Sequence, residues 1–317
     1  MIDAGKVIVL GSVNVDLLVS TPRLPCAGET VSGISLTRHL GGKGANQAVG
    51  AARAGAHCIL LAAVGTDSDG ASMMASLAGH GVDTHLVHAT CSPTGCALVA
   101  TSPQDNQIIH VSGANSDVDG ALVADVDLRP ADICLAQMET PVPATVALFQ
   151  RARTVGAFTI LNAAPASPAA RELLPLCDLL IVNEGELALL SGWKRGTPLD
   201  KDLLARLGLE DRQTLLVTLG ADGVVIIGRD KVQRIEGQPA KVVDTTGAGD
   251  CFCGYLAAGL ARGDTLEHAA FEANAAAAVA VQSFGAAASI PDRATVLQNL
   301  ASIAARTDQN RHEDIEV

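Results

Sequence analysis

Short apolar runs punctuate this chain at regular intervals. They are "KVIVLGSV" (6–13), "CILLAAVG" (58–65), "DICLAQM" (132–138), "FTILNAA" (158–164), "CDLLIVN" (177–183) and "TLLVTLG" (214–220). Between them lie stretches whose apolar residues recur at helical spacing. These include "GANQAVGAARAGA", "SDGASMMASLAGHG" ending at Gly81, a segment from Pro143 to about Val155, and another from Glu184. Runs of strand length alternating with helices predict an α/β fold: a mostly parallel central sheet with helices on both faces.

Two regions break the alternation. Residues 15–40 and 95–112 hold short strands with no helix between them, such as "TVSGISLT", "GCALVATS" and "QIIHVSG". They predict a small β-sheet lid. The catalytic α/β domain then comprises residues 1–14, 41–94 and 113–306, and the polar tail 307–317 is expected to fray. In "QIIHV", Ile108 and Ile109 point to opposite faces of a strand. A lid covering a cleft buries only one face, so the second face predicts a homodimer formed through the lid.

Composition sharpens this picture. Of 317 residues, 48% are hydrophobic, yet there are only one Trp, one Tyr and five Phe. The core is therefore aliphatic, which suits strands buried between helices. The net charge of −12 opposes nucleic-acid binding, because no basic stripe is present to release counterions. Eight cysteines occur without a C-x-x-C pair or a zinc set. They read as buried free thiols of a reducing cytoplasm. Asn14 and Asp16 interrupt the first apolar run, so it does not read as a signal peptide. The uncharged run Ala273–Pro291 is Ala-rich and broken by Asn274, Gln282, Ser283 and Gly285. It predicts a packed helix and loop, and no membrane span.

The chemistry concentrates in "VVDTTGAGDCFCGYLAAGL" (242–260). A strand-like run ends at Asp244, glycines follow, and a helix begins at once. Backbone N–H groups crowded at a helix start form an anion hole, and the helix dipole adds to it. Asp250 is compatible with two roles: an N-cap, or a general base beside a phosphoryl group held in the hole. "GGKGANQA" (41–48) carries a lysine among glycines. Gly44 stands where a P-loop needs Ser or Thr, so Lys43 is not a P-loop lysine. No G-x-G-x-x-G follows the first strand, which argues against a dinucleotide-binding oxidoreductase.

"DTTGAGD" and "GGKGANQA" together resemble the two signatures of the ribokinase-type carbohydrate kinases. "LGSVNVD", "PCAGETVSG", "QMETP", "NEGE" and "TLGADG" fall in the same order as in that family, over nearly the whole chain. The resemblance implies a ribokinase-like three-layer sandwich that transfers phosphate from ATP to a sugar hydroxyl. Asp250 is then the general base, with Gly247, Ala248 and Gly249 as the anion hole. It also implies that Asn14, Asp16, Gly42, Lys43, Asn46 and Glu139 bind the sugar. Asn183, the turn Thr218, Leu219, Gly220, Ala221, Asp222 and Gly223, together with Gly249 and Asn274, would bind the nucleotide. Glu186 would act on Mg²⁺ through water. Asp244, Thr246, Ala280, Ser283, Gly285 and Ser289 match a monovalent-cation site, usually K⁺. "SFGAAAS" departs from the family there, lacking a basic residue and a proline. Cys251 and Cys253 flank Phe252 as small packing residues. The implied substrate is D-ribose. Sibling kinases acting on deoxyribose, a ketose or a nucleoside are the alternative, and the scarcity of aromatic residues speaks against stacking a base. A catalytically silent sugar-binding regulator is disfavoured, because Asp250, Asn183 and Glu186 are all present.

Overall fold

The computed structural model describes residues 4–313. Numbered in chain order, its strands are β1 (Val7–Leu10), β2 (Asn14–Ser20), β3 (Ser35–Gly41), β4 (Cys58–Gly65), β5 (Val87–Thr90), β6 (Gly95–Thr101) and β7 (Asn106–Val111). There follow β8 (Ile133–Ala136), β9 (Phe158–Asn162), β10 (Leu179–Asn183), β11 (Thr214–Thr218), β12 (Val224–Ile227) and β13 (Val232–Ile235). The helices are α1 (Lys43–Arg53), α2 (Ser68–Gly79), α3 (Ala121–Ala124), α4 (Val142–Val155), α5 (Glu184–Ser191), α6 (Asp202–Leu207), α7 (Ala248–Ala261), α8 (Leu266–Ala280) and α9 (Arg293–Glu313).

Nine strands form one sheet in the order β13-β12-β11-β10-β9-β8-β1-β4-β5. All its pairings are parallel except β11–β12 and β12–β13. From β1 the chain builds outwards one way through β4 and β5, then returns and builds the other way from β8. The order therefore reverses between β1 and β8, and the crevice beyond the carboxyl ends of strands at such a switch point is where open α/β sheets bind ligands. Along β1, Val7 and Val9 join one apolar core while Ile8 and Leu10 join the other. This is the two-residue period of a strand buried on both faces. Helices α1, α7 and α8 cover the first face, and α4, α5 and α6 the second.

The lid is a four-stranded sheet, β3-β2-β6-β7. Its strands begin and end at Asn14, Gly41, Gly95 and Val111, a residue or so from the expected boundaries. Asn14 and Asp16 therefore both lie on a lid strand, β2. Register sorts the lid residues by face. Leu17 pairs with Leu98, which pairs with Ile109; Val19 pairs with Leu36, and Cys96 with Val111. Apart from Arg38 and Gln107, that face is apolar. Asp16 lies on the other, in register with His39 and Ala97.

Three expectations are corrected. Helix α2 stops at Gly79, with Gly81 beyond it in the left-handed region. Five cysteines are buried, but Cys26 and Cys91 are exposed and Cys96 is intermediate, because those three lie in or beside the thin lid. Helix α9 continues to Glu313 through the polar stretch expected to fray, where Gln309, Arg311 and Glu313 favour helix; residues 314–317 lie outside those described. The Ala-rich run divides as expected into α8 and a loop. Among the described residues, no helix is long and apolar enough to cross a membrane.

Candidate active site

The glycines of "GGKG" make room for a carboxylate cluster. A Cβ on Gly41 would sit 2.2 Å from the Asp16 carboxylate. Gly42 has φ 90° and is the N-cap of α1; a side chain there would also meet the Ser12 carbonyl at 2.8 Å. Glu139 follows β8 and reaches across the switch point. Its Oε2 accepts from Ser12 Oγ at 2.5 Å and from the Lys43 backbone N–H at 3.0 Å. Asn14 is buried, and its Oδ1 accepts from Asn115 Nδ2 at 2.7 Å. Its own amide hydrogens are thereby left for another acceptor. Burial, followed by the nearby charges of Glu139 and Asp250, raises the Asp16 carboxyl to about 6.

Asp250 is not an N-cap. Gly247 holds that position, at φ 75°, with no side-chain cap. Asp250 lies in the first turn of α7 and turns its carboxylate away from its own helix towards α1. There Asn46 Nδ2 donates to Oδ2 at 3.0 Å and Gln47 Nε2 donates to Oδ1 at 2.9 Å. Burial pushes its carboxyl above the ordinary aspartate value, and Lys43, Gln47 and Asn46 pull the other way. Lys43 is held above the ordinary lysine value by the charge of Asp250, against its own desolvation. Lys43 therefore stays cationic in the cleft that Asp250 also lines.

The cleft, roughly 250 Å³, is lined by Lys43 and Asp250, by Asn162, Asn183 and Thr218 at strand ends, by Glu186, and by Thr245, Gly247 and Gly249 before and within α7. The amino end of a helix thus opens beside a carboxylate. Ala248 is not among the lining residues. Asn183 and Glu186 form a reciprocal capping box, with bonds of 2.8 and 2.9 Å. Burial raises the Glu186 carboxyl. Beyond Thr218, Leu219–Gly223 form the tight β11–β12 turn, closed by Leu219 N–H donating to the Gly223 carbonyl at 2.8 Å. A Cβ on Gly223 would touch the 235–237 backbone. Asn274 of α8 donates to the Glu236 carbonyl at 2.8 Å, so the turn and Asn274 are joined through that strand exit.

Asp244 ties two loops together. Its Oδ1 accepts from Thr246 N–H and Oγ1, and its Oδ2 from Gly285 N–H at 3.0 Å. Desolvation raises its carboxyl, but the hydrogen bonds outweigh this and hold it below the ordinary value. Ser283 N–H donates to the Ala280 carbonyl, and Ser289 Oγ to that of Ala286. Away from the cleft, Asp264, His268 and Glu272 also cluster. Glu272 there is engaged by Arg262 and Arg293, so an ion-pair network accounts for them.

This geometry coincides with a family match. Residues 4–293 fit the model of the pfkB family carbohydrate kinases. The chain belongs to that family. Among its relatives, this pfkB kinase is 36% identical over 298 residues to a ribokinase of Haemophilus influenzae, covering 92% of this chain and 97% of the relative. It is 35% identical over 299 residues to the Bacillus subtilis ribokinase, covering 93% and 99%. Its fold superposes on Arabidopsis thaliana ribokinase complexed with ribose and ATP, with a TM-score of 0.84 at 33% identity, covering 93% and 98%. The Thermotoga maritima ribokinase gives a TM-score of 0.83 at 30% identity, covering 93% and 99%.

In this pfkB kinase the sequence reading missed Ser12, Asn115, Gln137, Asn162 and Thr245. It also passed over Gln47, which follows Asn46 directly within the quoted motif. The available signal was a polar residue at the end of an apolar run, as in "ICLAQM" and "FTILN".

Proposed function

We propose that this chain is an ATP-dependent kinase that phosphorylates D-ribose at its 5-hydroxyl. The observation that carries this reading is Asp250, buried in the cleft beside the amino end of α7, between the Asp16–Glu139 side and the Asn183–Thr218 side. A ribokinase relative matched over 92% of this chain and 97% of its own length, and a fold shared with a ribose–ATP complex, support the choice of substrates.

The sugar lies beneath the lid, with Asp16 and Glu139 accepting from its hydroxyls and Asn14, Lys43 and Asn46 donating to its oxygens. Gly42 permits the close approach of backbone. Asp250 takes the proton of the 5-hydroxyl as that oxygen bonds to the γ-phosphorus and the bond to the β,γ-bridging oxygen breaks. The products are ribose 5-phosphate and ADP. Backbone N–H groups of residues 247–249 stabilise charge on the transferring phosphoryl group. Lys43 remains cationic and balances the acids around it. Asn183, residues 218–223, Gly249 and Asn274 hold the nucleotide.

Glu186, a cleft-wall carboxylate, fits a hydrated magnesium ion, which neutralises phosphate charge when bound. Asp244 is held ionised among carbonyls and hydroxyls. With Thr246, Ala280, Ser283, Gly285 and Ser289 it makes an all-oxygen set suited to potassium, which would steady the 244–250 loop. Two chains pair through the apolar face of the lid. The site lies in the cytoplasm, where ATP is plentiful.

The test is ADP release measured with ribose, deoxyribose, fructose and adenosine, with and without potassium. Ribose should give the highest kcat/KM, and potassium should raise it. A better rate with another acceptor reassigns the substrate.

A further inference from the structure

Gln47 is fully buried on α1, and nothing in the proposed reaction uses it. Its amide is the hub of a chain of side chains running beneath the cleft. Nε2 donates to Asp250 Oδ1 at 2.9 Å and to Asn162 Oδ1 at 3.0 Å. Its Oε1 accepts from Gln137 Nε2 at 2.6 Å. Asn162 in turn donates through Nδ2 to the Ile181 carbonyl at 3.4 Å. Every orientation is thereby fixed. Asn162 must turn its oxygen to Gln47, since its nitrogen is committed to a carbonyl. Both Gln47 amide hydrogens then have acceptors, and its oxygen has a donor. A flipped Gln47 would set Oε1 against a carboxylate and a nitrogen against a nitrogen.

Buried amides are costly unless satisfied, and a linked set of them is a demanding feature to keep in an aliphatic core. Here the set leads to one atom, Asp250 Oδ1. Asn46 binds the other oxygen. Two donors on opposite oxygens fix the plane of the carboxylate and leave lone pairs facing the cleft.

Resting on the reading of Asp250 as the base, we propose that Gln47, locked by Gln137, is a positioning residue that fixes the Asp250 carboxylate for proton transfer. Gln137 and Asn162 sit at the ends of β8 and β9, so the sheet itself sets the register of the base. Donors to the ionised form also favour it, so losing one raises the pH at which the base becomes active. The charged and titratable groups facing Asp250 are Lys43 from α1, Asp16 from β2, Glu139 after β8, Glu186 from α5, and Cys251 and Cys253 from its own helix. Gln47→Met leaves all of them in place.

The test compares Gln47→Met, Gln137→Met and Asp250→Asn by kcat and KM from about pH 5 to pH 9. Gln47→Met should lower kcat by about ten-fold or more and move its acid limb up by about one pH unit, with KM for ribose and ATP within about two-fold. Gln137→Met should move both in the same direction by less, and it serves alone if Gln47→Met does not fold. An unmoved acid limb in the folded variants, with or without a loss of rate, overturns the positioning role. If Asp250→Asn is inactive while the limb stays put, only the role of Gln47 falls. If Asp250→Asn turns over normally, the base assignment falls and this role with it.

Discussion

Gly254 of α7 and Gly50 of α1 meet backbone to backbone: a Cβ on Gly254 would lie 2.8 Å from Gly50 Cα and 2.4 Å from the Gln47 carbonyl oxygen. One helical turn towards the cleft from this crossing, Asp250 and Gln47 face one another. The crossing therefore sets the distance between a helix of the "GGKGANQA" motif and one of the "DTTGAGD" motif, about two hundred residues apart in sequence.

Gly254→Ala should push the helices apart. Overpacking of this kind costs about 1–3 kcal/mol, and the 2.9 Å bond between Gln47 and Asp250 should lengthen with it. We expect a lower Tm and a fall in kcat greater than the rise in KM. A variant matching the parent in both would show that the crossing does not control the site.

Asp16 carries a stability cost with a defined pH signature. Its carboxyl lies at about 6 in the folded chain against 3.8 for the ordinary group. Between those values the folded state holds a proton that the unfolded state has lost. Stability therefore declines as pH rises through this window, and the full deficit is present above about pH 6. Asp16→Asn should stabilise the sugar-free enzyme by on the order of 1–3 kcal/mol at about pH 8 and change little at about pH 4. It should also raise the KM for ribose by about ten-fold or more through loss of a charged acceptor. Thermal melts at the two pH values check the sign; destabilisation at the higher pH contradicts it.

The apolar lid face should carry the dimer. Leu36, Leu98 and Ile109 are 60%, 42% and 62% exposed, and register places them on the face opposite Asp16. Ile109→Asp should shift sedimentation from dimer to monomer. A parent protein that is monomeric at micromolar concentration would contradict the pairing.

The alternation of strands and helices was legible in the sequence because β1, β4, β8, β9, β10 and β11 are largely buried on both faces and each reads as one apolar run. The ends of those strands carried the site, and Asn183, Thr218 and Glu139 could be found there. Three features could not be read. Whether Asp250 caps its helix depends on where α7 begins, and Gly247 takes that role through a positive φ that sequence spacing does not fix. The partners of Gln47 come from β8, β9 and α7, and only the three-dimensional packing brings them together. In the lid, Ile108 and Ile109 are both apolar, and strand register, not composition, tells which of them shares a face with Leu98.

The most direct test of the account is turnover by Asp250→Asn. The substitution keeps the size of the side chain and removes its basicity. The variant should fold, bind ribose and ATP with KM values within a few-fold of the parent, and lose about 10²–10⁴ in kcat. Turnover within a few-fold of the parent would contradict Asp250 as the base.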